Sequence, residues 1–238
     1  MHDSYKNLLS IQSEIKKEFD NINNKSINPE IIAVSKTFPI EHIKPIIEQG
    51  HIHFGENKVQ EAEKKWEEEK NKNPHIKLHF IGKLQSNKVK SALKVFDYIH
   101  SVDSYKLAET IAKQEDSLRK KIKLFVQINI GEEPQKSGIK ISETEEFVKK
   151  CKEEMSLNII GLMCLPPINK DSVEFFLKMK NLKKKLNIPH LSMGMTSDYL
   201  KAVQYESTFL RIGTKIFGAR SWLKNFNFSF SVTKFCKS

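Results

Sequence analysis

Cysteine is scarce: the 238 residues contain three, Cys151, Cys164 and Cys236, and no CxxC pair. An odd, scattered set argues against a disulfide framework and a thiolate metal site, and it fits a reducing compartment. Each reads as a small buried or bystander residue. No run of about 18 apolar residues occurs, so no membrane-spanning helix is expected. The N-terminal stretch MHDSYKNLLSIQSEIKKEFD is amphipathic and contains acidic residues. It lacks both the apolar h-region of a signal peptide and the acid-poor character of a transit peptide. Residues 1–28 therefore read as a first surface helix packing on a cytoplasmic protein. No GxGxxG follows the first apolar strand, which weakens a dinucleotide-binding open sheet. No low-complexity linker marks a second domain, so 1–238 is expected to form one domain with a C-terminal tail at 221–238.

Charge is abundant. Lys and Arg number 40 against 29 Asp and Glu, a formal net charge of +11. Nucleic-acid binding is one reading of such a balance. The lysines, however, are dispersed along the whole chain and often sit beside glutamates, as in EAEKKWEEEK. A general compositional bias explains that better, and no nucleic-acid partner is expected. A basic surface also steers phosphorylated small molecules toward it.

Short apolar runs alternate with longer amphipathic segments. IIAVS (31–35), HIHF (51–54), IKLHFIG (76–82), DYIHSV (97–102), KIKLFVQINI (121–130), LNIIGLMCL (157–165), HLSMG (190–194) and TFLRIG (208–213) read as strands. A helical pattern follows each of the first seven. Gly50 is placed as a C-cap and Asp103 as an N-cap. Strand–helix repetition of this kind builds parallel βαβ units. Eight units in roughly 200 residues suit a (β/α)8 TIM barrel, with a doubly wound open sheet as the alternative.

In such a barrel functional groups lie at the C-terminal ends of strands. That selects Lys36, Asn57, the segment 82–87, Lys136 to Gly138, Met193 to Ser197, and Arg211 to Gly218. A lysine at a strand end is, taken alone, an ordinary exposed lysine. Pointing into a barrel mouth, its ammonium form is disfavoured, and a neutral amine condenses with an aldehyde. Gly213 and Thr214 follow strand eight, where barrels commonly bind phosphate through backbone N–H groups. Thr196 adds a hydroxyl after strand seven. Arg211 is two residues before Gly213 and so shares its strand face; a rim salt bridge is the plainer reading. His51 and His53 also share a face, but no third ligand with suitable spacing accompanies them, so no metal is expected. His75 and His79 have helical spacing within a segment that reads as a strand start. The aromatic stretch from Phe226 to Phe235 reads as C-terminal packing.

The blocks AVSKTFP, FGENKVQE, HFIGKLQSNK, INIGEEPQKSGI, GLMCLPP, LSMGMTSD and RIGTKIFGAR together resemble the pyridoxal 5′-phosphate (PLP) homeostasis protein family, over about Ile31 to Arg220. The resemblance implies a barrel like the N-terminal domain of alanine racemase. It implies that Lys36 forms the internal aldimine with PLP and that Arg211 faces the pyridine nitrogen. Gly213 and Thr214 would bind phosphate with a hydroxyl from Thr196, Asn57 would lie near the ring, and Lys136 would be a secondary lysine affecting cofactor transfer. Thr196 stands where serine is usual, Glu206 where glycine is common, and Lys83 adds a cation near the site. An arginine at the pyridine nitrogen keeps it unprotonated and weakens the ring as an electron sink. Racemases of this fold take a second base from a further β-domain, for which the chain after Arg220 leaves no room. The expectation is a monomeric intracellular PLP carrier with no catalytic residue, which supplies apo-enzymes. A PLP-dependent amino-acid racemase is the alternative.

Overall fold

The computed structural model describes residues 3–21 and 28–219. Eight parallel strands close into a barrel in chain order. They are β1 (Glu30–Val34), β2 (His53–Glu56), β3 (Lys77–Phe80), β4 (Tyr98–Val102), β5 (Lys123–Ile128), β6 (Ile159–Cys164), β7 (His190–Ser192) and β8 (Phe209–Ile212). Closure is made by β8 on β1, with Ile32 beside Arg211. The open-sheet alternative is thereby excluded. The outer helices are α1 (Asp3–Asn21), α2 (Ile40–Ile47), α3 (Val59–Lys72), α4 (Val89–Val95), α5 (Tyr105–Leu118), α6 (Thr144–Glu153), α7 (Ser172–Lys185), α8 (Tyr199–Gln204) and α9 (Thr214–Phe217).

Both faces of these strands are covered, so they read as continuous apolar runs rather than alternating ones. The outer face packs Ala33, Phe54, Leu78, Ile99 and Leu191 against helix residues such as Ile43, Trp66, Ile111 and Phe176. The inner face is different. Ile32, Tyr98, Phe125, Met163 and Phe209 form a separate small cluster. By strand alternation and register, His53, His79, His100, Ser192 and Arg211 point to that same interior.

Four boundaries differ from the sequence reading. Strand β2 starts at His53, so His51 lies before it and its Nε2–H donates to the His53 carbonyl at 2.9 Å. His75 is exposed in the turn before β3, whereas His79 is buried within the strand. The N-cap of α5 is Ser104, not Asp103: its side chain accepts from Leu107 N–H, and Asp103 sits one residue too early to reach the first turn. The C-cap of α2 is Glu48, not Gly50, which lies two residues further on and takes the left-handed conformation with φ 82°.

Helix α1 buries Leu8, Ile11 and Ile15, at the three- and four-residue spacing of an amphipathic face. It packs on α2, α8 and α9. Asn7 donates to the Ile216 carbonyl at 3.0 Å, and Glu14 pairs with Lys215 at 2.7 Å while accepting from the Tyr199 hydroxyl. No described helix is long and apolar enough to cross a membrane. Cys236, the aromatic stretch and the tail 221–238 lie outside the described residues.

Candidate functional site

A cavity of ≈ 660 Å³ opens at the C-terminal ends of the strands. Lys36, Lys136, Thr196, Arg211, Gly213 and Thr214 line it, with apolar walls from Val34, Phe38, Ile81, Leu165 and Met195. The structure thus brings together five of the six residues singled out for cofactor binding. Asn57, the sixth, follows β2 but does not line the cavity. Its backbone carbonyl fits against Gly82, where a Cβ would come within 2.3 Å, and its side-chain Oδ1 is buried without a hydrogen-bond partner.

The segment after β1 aims Lys36. Phe38 N–H bonds back to the Ser35 carbonyl at 3.1 Å, closing a tight turn around Lys36 and Thr37. Thr37 has φ 69°, unusual for a β-branched residue. The turn is over-determined by its surroundings, as a strained segment must be. Thr37 N–H donates to Glu61 Oε1 at 2.7 Å, and Lys65 donates to the Ser35 carbonyl at 3.0 Å. Behind it, fully buried Glu56 accepts from Ser35 Oγ (2.7 Å), Lys65 Nζ (3.0 Å) and Trp66 Nε1 (3.0 Å), all on Oε1. Lys36 itself is half-buried and faces the cavity.

The adjoining wall, beside β1, carries hydroxyl and backbone donors. Thr196 and Thr214 present hydroxyls from the loops after β7 and β8. The first N–H groups of α9 have no acceptor within their own helix. Gly213 lets β8 end close to β1: a Cβ there would lie 3.3 Å from Val34 Cβ and from its carbonyl oxygen. Gly194, at φ 89°, shapes the preceding loop, and its carbonyl accepts from Arg211 N–H at 2.9 Å.

Arg211 is buried at 5% exposure on the inner barrel face. Nη1 donates to Ser192 Oγ at 2.6 Å and Nη2 to the Cys164 carbonyl at 2.8 Å. Among the described residues no carboxylate pairs with it, so the rim salt bridge is not what holds it. Burial pushes its guanidinium below the usual value, and Cys164 and then Asp198 only partly offset this. Lys136 is presented by a loop that Asn129 braces, donating to the Glu133 carbonyl at 2.9 Å and accepting from Glu133 N–H at 3.1 Å. Lys136 is ion-paired with Glu133.

The departures from the family pattern find places. Thr196 is half-buried on the cavity wall. Lys83 is exposed, and its charge partly offsets the burial that pushes the Asp103 carboxyl up. Glu206 has φ 62°, the conformation that glycine adopts most easily. Its ion pairs to Lys180 (2.9 Å) and Lys183 (3.1 Å) accompany that strain. No cluster of three or more His, Cys, Asp or Glu among the described residues is arranged for a metal ion. Cys151 and Cys164 are buried, which pushes both thiols up to about 12 and leaves them unreactive.

Sequence reasoning missed the hydrogen-bonded interior below Arg211. His53, His79 and His100 were scattered in the chain, and only strand register brings them together. It also missed Leu165 and Ile168, whose side chains form an apolar lip with Met195 of the selected segment 193–197.

Comparison with known proteins agrees with this fold. The family model "Alanine racemase, N-terminal domain" matches residues 12–221. The pyridoxal phosphate homeostasis protein of Pasteurella multocida is 37% identical over 228 residues, 92% of this chain and 98% of that protein. Its namesake from Escherichia coli K12 is 33% identical, over 94% of this chain and all of that one. The structure of PipY from Synechococcus elongatus superposes with a TM-score of 0.77 without PLP and 0.73 with PLP bound, at 32% identity, covering 87% of this chain and 100% of PipY. Alanine racemase of Clostridium difficile shares the fold, at TM-score 0.69 and 16% identity, with this chain spanning 58% of it. Through the curated relatives and the domain match together, the chain belongs to the family of pyridoxal phosphate homeostasis proteins.

Proposed function

We propose that this chain binds PLP in the barrel-mouth cavity, holds it as a Schiff base on Lys36, and serves as a monomeric carrier that buffers the cofactor and releases it to apo-enzymes. The observation that carries the reading is the placement of Lys36, Arg211, Gly213 and Thr214 on one ≈ 660 Å³ cavity. That volume lies in the range of small-ligand sites.

The residues suit the group. Bound PLP supplies an electrophilic aldehyde and an aromatic ring that withdraws electrons toward its pyridine nitrogen. Lys36 offers the amine. Thr196 and Thr214 offer hydroxyls, and the residues after Gly213 offer backbone N–H groups, for a phosphate with three acceptor oxygens. Arg211 can only donate, so a ring nitrogen facing it keeps its lone pair and is not protonated. This favours holding the cofactor over stabilising carbanions on it. Val34, Phe38, Ile81 and Met195 are the apolar lining residues that would pack against the ring and exclude water from it.

A racemase is the second reading, favoured by one observation: Lys136, after β5, is a second amine lining the same cavity, across the barrel from β1. Two-base racemisation needs a base on each face of the substrate carbon. Lys136 is tied to Glu133, and the cavity lining otherwise offers hydroxyls rather than general bases. A titration of purified protein with PLP, followed by visible absorption and then by incubation with L-amino acids and chiral analysis, separates the readings. A saturable visible band with no D-amino acid supports the carrier. Turnover at enzyme-like rates supports the racemase, and absence of any band removes both.

A further inference from the structure

A continuous chain of buried side chains crosses the barrel interior and ends on Arg211. Arg211 Nη1 donates to Ser192 Oγ at 2.6 Å, and His100 Nδ1 lies 2.9 Å from that same oxygen. His100 Nε2 is 2.9 Å from His79 Nδ1, and His79 Nε2 is 2.8 Å from His53 Nδ1. At the far rim His53 Nε2 lies 3.8 Å from Glu30 Oε2. Barrels of this kind usually fill their interior with branched aliphatic side chains. A line of imidazoles there is a departure that packing alone does not require.

The ends of the chain fix its polarity. Arginine has no acceptor, so Ser192 Oγ accepts from it, and the serine hydrogen goes to His100 Nδ1. His100 then carries its hydrogen on Nε2 and donates to His79 Nδ1. His79 in turn donates from Nε2 to His53 Nδ1, and the His53 Nε2–H points at the Glu30 carboxylate. The reverse order would leave the Ser192 hydrogen without an acceptor in the chain. It would also set an imidazole lone pair against a carboxylate. One sense of the chain therefore pairs every donor from Arg211 to His53 Nδ1, as buried polar groups require, and turns the last N–H toward the carboxylate at the rim.

The rings are neutral. Burial, with the Arg211 charge and then His53 adding to it, holds His100 well below its ordinary value, and burial with His100 as neighbour does the same to His79. Burial also lowers His53, to about 4, with the charges of His51, Lys77 and Lys123 adding to it and Asp97 only partly offsetting it. A mobile proton would have to sit on a ring beside Arg211, so the chain does not conduct. It is instead a row of aligned dipoles whose lone-pair ends face the guanidinium. Flat stacking of His79 on Tyr98 (4.1 Å, 11°) and of His100 on Phe125 (4.2 Å, 9°) fixes the ring planes.

We propose that Ser192, His100, His79 and His53 are positioning residues that act as one polarised hydrogen-bond chain, the counter-dipole that holds Arg211 in place against the cofactor's pyridine nitrogen. A carboxylate in that position would neutralise the cation and compete for its donors; neutral imidazoles orient it and leave its remaining donors for the ligand. The ligand half of this inference rests on the PLP reading above, whereas the polarity of the chain does not.

The test has two parts. In ¹⁵N-histidine-labelled protein without cofactor, long-range ¹H–¹⁵N spectra should show His53, His79 and His100 all neutral with the hydrogen on Nε2. Any of the three in the Nδ1–H form overturns the chain. In PLP-loaded protein, Ser192→Ala and His100→Phe should speed PLP release about tenfold to hundredfold, the range of one lost hydrogen bond to a charge. Both should also move the ¹⁵N shift of labelled pyridine nitrogen, and Ser192→Thr, which keeps the hydroxyl, should restore both. Unchanged release and shift in both disruptive variants overturn the positioning role. If the wild-type protein takes up no PLP, the functional reading and the ligand half fall together, while the tautomer spectra still decide the polarity.

Discussion

Lowering the pH from 7 to 5 should destabilise this protein far more than its carboxylates explain. His51, His53, His79 and His100 are kept neutral in the folded state, with His51 and His53 lowered by burial to about 4 and the other two well below their ordinary value. In the unfolded chain each titrates near 6.5. A histidine with a depressed folded pKa contributes stability that is complete above about pH 6.5 and is lost as pH falls toward the folded value. Between pH 7 and 5 the unfolded state gains about 1.8 kcal/mol per such histidine, or about 7 kcal/mol for the four. That is comparable with the whole stability of an ordinary domain, about 5–15 kcal/mol. Carboxylates, with unfolded values near 4, contribute only about 0.1 kcal/mol each in this window, so the window isolates the imidazoles. Urea unfolding followed by circular dichroism at pH 7, 6 and 5 measures the slope. A fall of several kcal/mol, reduced by about a quarter in a folded His79→Gln variant, is expected. A stability that changes by less than about 1 kcal/mol over this range would refute the neutral, buried assignment.

Four substitutions probe the supports of the site and the cap of α5. Glu56→Gln should cost about 2–3 kcal/mol in urea unfolding, because one buried oxygen accepts from Ser35, Lys65 and Trp66; a neutral result would mean that the turn carrying Lys36 is braced elsewhere. Gly194→Ala should lose about 2–4 kcal/mol, since φ is 89° and the new Cβ would meet Ala202 Cβ at 2.6 Å. Thermal melts that leave it within 1 °C of wild type would contradict the packing. Ser104→Ala should cost about 0.5–1 kcal/mol and Asp103→Ala less; the opposite ranking would return the α5 cap to Asp103.

Much of the barrel is legible in the sequence because its strands are covered on both sides. IIAVS and LNIIGLMCL need no alternation to be recognised, and each is followed by a helical pattern. Strand ends are less legible: HIHF is apolar enough to read as strand from His51, but only from His53 does the register meet β3. The Asp103 cap fails for a similar reason, since Asp and Ser are both good caps and one residue of offset decides between them. At the site, Lys36, Arg211, Gly213, Thr196 and Thr214 follow from one rule about strand ends. Asn57 obeys the same rule and yet does not line the cavity, because its backbone packs against Gly82. Glu206 is intelligible as a glycine position from its φ of 62°. The imidazole chain is invisible in one dimension, because His53, His79, His100 and Ser192 lie on four strands and only closure of the barrel aligns them.

The account stands on the amine of Lys36 as the attachment point for PLP. Borohydride reduction of PLP-loaded protein, followed by proteolysis and peptide mass spectrometry, tests this directly. The added pyridoxyl mass should fall on the peptide containing Lys36, and Lys36→Ala should abolish it. Reduction that places the label on Lys136 or another lysine, or that persists in Lys36→Ala, would contradict it.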